Sequence, residues 1–271
     1  MKAVPNISGM EFRVYLKSRE LDKNIISIND IQDILKVSRK KAYNILYKMN
    51  KKGLIKRSKN GIYIFDPHSF GLDLENYLED PFFILKNQVE PYFVSHYSAL
   101  MLHGLAQQWT NRYFITTFKR IKPVHNEFYS IKPVIVLREN FFGFIETKYG
   151  NELIKVSDLE RTVLDIMNKP EYAGGFGEVI TCLLDIEKLN FNLIDEYLKR
   201  LNKKILYHRI GYLFDSPVFK ANFDIPNDFL EEIKRHIHSI TYFDRLTKTG
   251  DFNNTWKVYV PRKIENGLRR W

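Results

Sequence analysis

Cysteine is nearly absent from the chain, which has Cys182 alone among its 271 residues. No intramolecular disulfide can form, so the disulfide-framed folds of small secreted proteins are excluded. Cys182 lies in the apolar run Val179–Leu184 without basic neighbours, and reads as a core thiol rather than a nucleophile. Long hydrophobic runs are missing too; nothing approaches the ~18 unbroken apolar residues of a membrane span. The opening MKAVPNISGM has no apolar core of signal-peptide length, so the expectation is a cytoplasmic protein. There is no internal repeat and no low-complexity tract.

What is present is ordinary globular composition, 44% hydrophobic and 27% charged, which excludes wholesale disorder. At roughly 150 residues per domain, the length calls for about two domains. A chain of this size buries enough surface to need neither disulfides nor a structural metal. The net charge is +10, and its distribution is uneven. Residues 1–66 hold 15 Lys and Arg against 6 Asp and Glu, whereas residues 67–271 hold 27 against 26. Such segregation is the footprint of a module that meets a polyanion. A membrane surface would instead call for a basic amphipathic helix with a broad apolar face.

The first quarter reads as three helices and a hairpin. Met10–Arg19 is the first helix, with Met10, Val14 and Leu16 apolar and Phe12 and Tyr15 alongside. Ser27 with Asp30 opens the second, whose apolar stripe is Ile28, Ile31, Ile34 and Leu35. After the break at Val37-Ser38, Ser38 caps a third helix running from Arg39 to Lys52 and ended by Gly53. At ~100° per residue, Ala42, Ile45, Leu46 and Met49 fall on one side of it. Lys40, Asn44, Tyr47 and Lys51 fall opposite, with Tyr43 and Lys48 on the flanks. Cations for phosphate and guanine, with an Asn able to bond adenine at two points, are the chemistry of the DNA major groove. Asn60-Gly61 between the β-prone runs 54–59 and 62–65 is a strong hairpin signal, and Lys56, Arg57 and Lys59 sit at its tip. Helix, helix, short turn, helix and basic hairpin are the order of a winged helix-turn-helix. The expected DNA-contacting set is Ser38, Arg39, Lys40, Tyr43, Asn44, Tyr47, Lys48, Lys51, Lys56, Arg57 and Lys59.

Residues 67–90 read as a connecting segment, helical around Leu74–Leu85, and residues 91–271 as a second domain. In the latter, Tyr92–Val94 is a short strand, and Ser95 caps a helix over His96–Leu105. Strands follow over Tyr113–Phe118, Phe128–Leu137, Phe141–Lys148 and Leu153–Val156. Ser157 with Glu160 forms a capping box for a helix over Asp158–Asn168. Further helices cover Phe176–Ile186, Leu193–Leu201 and Ile205–Phe214, and one begins after Pro226. Strands at Thr241–Phe243 and Thr255–Val260 complete a mixed α+β domain.

No catalytic constellation emerges, and the chain reads as a non-enzyme without metal or cofactor. His96 and His103 lack a Cys, Asp or Glu at metal-ligand spacing and read as packing or polar-network residues. Gly174-Gly175-Phe176-Gly177 is followed by no Gly-Lys-Ser/Thr and reads as a turn opening a helix, a kind of place where small anions bind. Gly71-Leu72-Asp73-Leu74-Glu75 offers two carboxylates without the Gly-Ser turn of a nucleotidyltransferase.

Three segments carry a resemblance: SHYSALMLHGL (95–105), SDLERTVLDIMNKPEYAGGFGEV (157–179) and YHRIGYLFD (207–215). With the N-terminal architecture, they resemble the AbiEi-type antitoxins of abortive-infection, type IV toxin–antitoxin pairs. The residues matching the family's motifs are Ser98, Asp158, Arg161, Thr162, Asp165, Gly174 and Gly175. The resemblance implies a protein that represses its own operon by binding inverted repeats of double-stranded DNA. It also implies neutralisation of a co-encoded nucleotidyltransferase-like toxin without a stable complex, with the C-terminal domain carrying that activity. A different reading of the same chain is a winged-helix regulator whose second domain binds an effector or acts on nucleic acid. A symmetric dimer and two cooperating monomers fit an inverted repeat equally well.

Overall fold

The computed structural model describes residues 8–21, 23–58, 61–65, 82, 90–108, 110–125, 129–149 and 152–268. The connecting segment apart from residues 82 and 90, with it the 71–75 carboxylates, and Lys59 lie outside the described residues. The protein is mixed α+β and divides into two compact units, Met1–Glu90 with Lys148–Glu152 and Pro91–Thr147 with Leu153–Trp271. Among the described residues, no helix is long and apolar enough to cross a membrane.

The first unit holds α1 (Gly9–Glu20), β1 (Ile25–Ser27), α2 (Ile28–Leu35), α3 (Arg39–Lys51), β2 (Ile55–Arg57) and β3 (Ile62–Phe65). The strands form an antiparallel sheet in the order β1-β3-β2. Sequence periodicity misses β1, because three residues running into a helix cap are too short to show alternation. Val14, Ile26, Ile31, Leu46, Met49 and Leu54 are central to the core. On α1 the buried line is Glu11, Val14 and Ser18, whereas Met10, Phe12 and Leu16 stand in solvent. The apolar stripe expected there is therefore corrected: only Val14 of it is buried, because Glu11 faces inward to meet Lys52 at 2.7 Å.

The second unit is built on a mixed six-stranded sheet in the order β6-β7-β5-β4-β9-β8. Its strands are β4 (Phe93–Val94), β5 (Arg112–Thr117), β6 (Val124–His125), β7 (Ser130–Ile135), β8 (Phe144–Tyr149) and β9 (Glu152–Ser157). β5 runs parallel to β7 and antiparallel to β4, and β4 runs parallel to β9. The helices are α4 (His96–Leu102), α5 (Leu159–Asn168), α6 (Phe176–Leu184), α7 (Phe191–Leu201), α8 (Lys204–Phe214), α9 (Pro217–Asn222), α10 (Asn227–Arg235) and α11 (Arg262–Leu268). A small sheet, β10 (Thr241–Tyr242), β12 (Val258–Val260) and β11 (Asp251–Asn253), has β12 in its centre. Helix α5 packs on α4, α6, α7 and α8, and every residue from Arg161 to Met167 is buried.

Two expected caps are corrected. Ser157 does not cap α5: it ends β9, buried, with its hydroxyl 2.7 Å from that of Thr162. Asp158 is the cap, accepting from the Arg161 N–H at 2.8 Å, while Glu160 accepts from the Asn190 N–H instead of closing a box. Ser95 stands at the N-terminus of α4 but makes no side-chain cap bond. Its hydroxyl accepts from Thr116 and faces the His96 ring, so a buried inter-element bond replaces the local one.

Candidate nucleic-acid interface

Helix α3 owes its ends to local chemistry. The Ser38 side chain accepts from the Lys41 N–H, and the preceding α2 closes with Lys36 in the left-handed region at φ 50°. At the other end Gly53 adopts φ 74°, which lets the Leu54 N–H reach the Met49 carbonyl and the Gly53 N–H reach that of Asn50. Leu54 and Met49 are both fully buried, so this turn is also fixed by packing. The Ser27 side chain caps α2 and Asp30 completes a reciprocal capping box.

The buried face of α3 is Ala42, Ile45, Leu46 and Met49. Arg39, Lys40, Tyr43, Asn44, Tyr47, Lys48 and Lys51 are all exposed, Tyr47 at 57%. Lys40, Asn44, Tyr47 and Lys51 form a stripe that, at 1.5 Å per residue, is about 16 Å long. The Asn50 side chain accepts from the Arg57 N–H at 3.1 Å and so ties the end of α3 to β2. In that hairpin, Ile55 pairs with Phe65 and Arg57 with Tyr63, and Lys56 and Arg57 are exposed.

Two carboxylates of this unit, Glu11 and Asp30, are engaged by neighbouring groups. Burial raises the pKa of Glu11, but bonds from Lys52 and Ser8 outweigh it and hold the group below its ordinary value. Asp30 is likewise held low: burial opposes, and Lys23 and the Ser27 hydroxyl and amide prevail. Among the described residues of α3, β2 and β3, every charged side chain is a cation.

The motif residues of the second unit do different work. Asp158, Arg161, Thr162 and Asp165 are brought together on α5. The Arg161 guanidinium donates to Asp165 at 3.0 Å and to the Asn140 and Phe142 carbonyls at 3.1 and 2.9 Å. It lies 4.6 Å from the Phe142 ring centroid. Asp158 also accepts from the Tyr197 hydroxyl at 2.7 Å, and Thr162 donates to the Asp158 carbonyl at 2.7 Å. Ser98 stands apart, accepting from the Phe114 N–H at 2.8 Å. Gly174 and Gly175 adopt φ 75° and 91° and open α6. His103 donates to the Ser157 carbonyl at 2.8 Å, and His96 is buried with its pKa lowered to about 4 by burial. Cys182 is buried and pushed up to about 12 by burial and then by Glu178. Among the described residues, no group of three His, Cys, Asp or Glu is arranged to hold a metal.

Sequence reasoning missed Arg209, buried at 3% exposure in α8. The one signal for it is an arginine set, next to His208, in the otherwise uncharged and largely apolar run 205–214.

No protein-family model matches the chain, and no curated protein matches it. Among solved structures it is similar to the RV2827C protein from Mycobacterium tuberculosis, with a TM-score of 0.66. That likeness covers 98% of this chain and 95% of the other at 12% identity, and speaks for the fold alone.

Proposed function

We propose that the chain is a cytoplasmic, non-enzymatic DNA-binding antitoxin that represses its own operon and neutralises a co-encoded toxin. In this reading the first unit is a winged helix-turn-helix, with α3 as recognition helix and β2–β3 as wing. The observation that carries it is the division of α3: four apolar residues inside, and on the outside five cations (Arg39, Lys40, Lys41, Lys48 and Lys51) flanking Asn44, Tyr43 and Tyr47. Lys40, Lys48, Lys51, Lys56 and Arg57 meet phosphates, and Asn44 reads a base edge. The antitoxin role rests on the resemblance of segments 95–105, 157–179 and 207–215 to the AbiEi-type proteins.

Co-expression with the neighbouring gene tests the antitoxin half. The expected result is rescue from that gene's toxicity, retained when Lys40→Ala and Lys56→Ala abolish repression of a promoter fusion. Toxicity undiminished by abundant, folded protein would overturn it.

A further inference from the structure

The second unit contains a cavity of about 660 Å³ between the turn before α6, the start of α8 and the loop after β10. Five cations line it: Lys169, Lys203, Lys204, Arg209 and Arg245. Only two carboxylates, Glu171 and Asp244, line it with them, and among the described residues none of the five cations forms an ion pair. The other buried arginine of this unit, Arg161, does have such a partner in Asp165.

Arg209 is the most buried of the five. Its Nε donates to the Phe243 carbonyl at 2.8 Å and its Nη1 to the carbonyls of Met167 and Asn168. Its Nη2 has no partner among the described residues. The guanidinium lies 4.8 Å from the centroid of the Phe176 ring, itself part of the lining. Burial, then Arg245, lowers the Arg209 pKa to about 10. Lys203 is lowered by burial first, and Lys169, Arg161 and Arg245 push it the same way against Asp165. The cations thus repel one another across partly desolvated space, and a bound anion would relieve both penalties.

The ends of two helices add to this field. Helices α6 and α8 begin at the cavity behind Gly175 and Lys203, and neither has a side-chain cap, so first-turn N–H groups lack a side-chain acceptor. The volume is in the range of small-molecule sites, roughly 300–1,000 Å³. It far exceeds one phosphate, and Pro170, Ile205 and Leu246 give it an apolar margin.

We propose that this cavity binds a small molecule carrying a chain of phosphate groups, with Arg209, Lys203, Lys204 and Arg245 as its ligands. Free oligophosphate and a nucleoside triphosphate share that chemistry. The proposal does not depend on the DNA-binding reading.

The test is calorimetric titration of the full chain, at constant ionic strength, with tripolyphosphate, adenosine triphosphate and sulfate. Saturable binding of tripolyphosphate is expected, with sulfate weaker by roughly 100-fold because it makes fewer charge-assisted bonds. Equal affinity for the nucleotide identifies the phosphate chain as the recognised part, and tighter nucleotide binding assigns the apolar margin to the base. Lys204 and Arg245 are exposed, so Lys204→Glu with Arg245→Glu leaves the fold intact and is expected to weaken binding at least tenfold, about 1.4 kcal/mol. Lys40→Ala with Lys56→Ala is expected to leave it unchanged. Absence of saturation, equal binding of sulfate, or sensitivity to the Lys40 and Lys56 changes but not to Lys204 and Arg245 would overturn the proposal.

Discussion

Lys40, Lys48 and Lys51 stand in solvent on α3, whereas Arg161 and Arg209 lie inside the second unit at 1% and 3% exposure. The exposed lysines keep their hydration and their reach, which suits contact with a polyanion of variable sequence. The buried arginines are held by carbonyls and rings, and their planar forks join elements: Arg161 links α5 to the 140–142 turn, and Arg209 links α8 to the end of α5 and to Phe243. Under the proposed function, the exposed cations of the first unit serve recognition, while the buried arginines of the second join elements of the fold. Substituting the first kind should change DNA binding and spare stability; substituting the second kind should lower stability and spare DNA binding.

The largest effect is expected for Arg161→Met. It strips Asp165 of its cation, and the second Asp165 oxygen, buried, already has no partner among the described residues. A stability loss of about 3–5 kcal/mol is expected in urea unfolding, the scale of breaking a buried pair. A loss no greater than that of a surface lysine change would contradict the architectural role.

Next is a pH effect from His96, whose burial lowers its pKa from 6.5 to about 4. Between those two values the unfolded chain holds the proton and the folded chain does not. Stability is therefore full above 6.5 and falls as the pH drops toward 4, by about 3 kcal/mol if this group acts alone. His96 has φ 55°, a conformation that Asn tolerates, so His96→Asn should flatten the curve without straining the backbone. An unchanged curve would remove His96 as its source.

Glycines sharpen the contrast in packing. A Cβ at Gly211 would run into the buried Trp256 ring, whereas one at Gly53 meets open space. Gly211→Ala should cost about 1–3 kcal/mol by overpacking. Gly53→Ala carries only the left-handed backbone penalty, about 1–2 kcal/mol. Thermal melts of the two variants give the comparison, and a Gly211→Ala melt equal to the parent's would show that Trp256 yields freely.

The smallest effects on stability, near zero, belong to the exposed face of α3, the proposed recognition face. Asn44→Ala should lose about 1–3 kcal/mol of discrimination between duplexes with no change in the melting curve. Lys40→Ala should weaken binding to all duplexes alike and lower the salt slope by about one. An Asn44→Ala protein with unaltered preference would remove Asn44 from base readout.

The first unit was largely legible because its signals are local. Ser27 and Ser38 cap helices within three residues of themselves, and α3 displays a complete 3.6-residue period. In the second unit, two polar residues stand side by side at the start of α5, and only the β9 ladder decides that Ser157 belongs to the strand and Asp158 to the cap. The short α9 and α11 have too few turns to show a period. Of the cavity only the Gly174-Gly175 turn was legible, since its lining comes from segments 168–176, 203–209 and 244–246, which no linear motif joins.

The central claim is that the first unit reads a particular duplex. The most direct measurement is a titration of the full chain with duplex from immediately upstream of its gene, against a scrambled duplex of equal length, at two salt concentrations. A preference of at least ~10³ for the upstream duplex, with affinity falling steeply in salt, is the expected result. Equal and weak binding to both would contradict it.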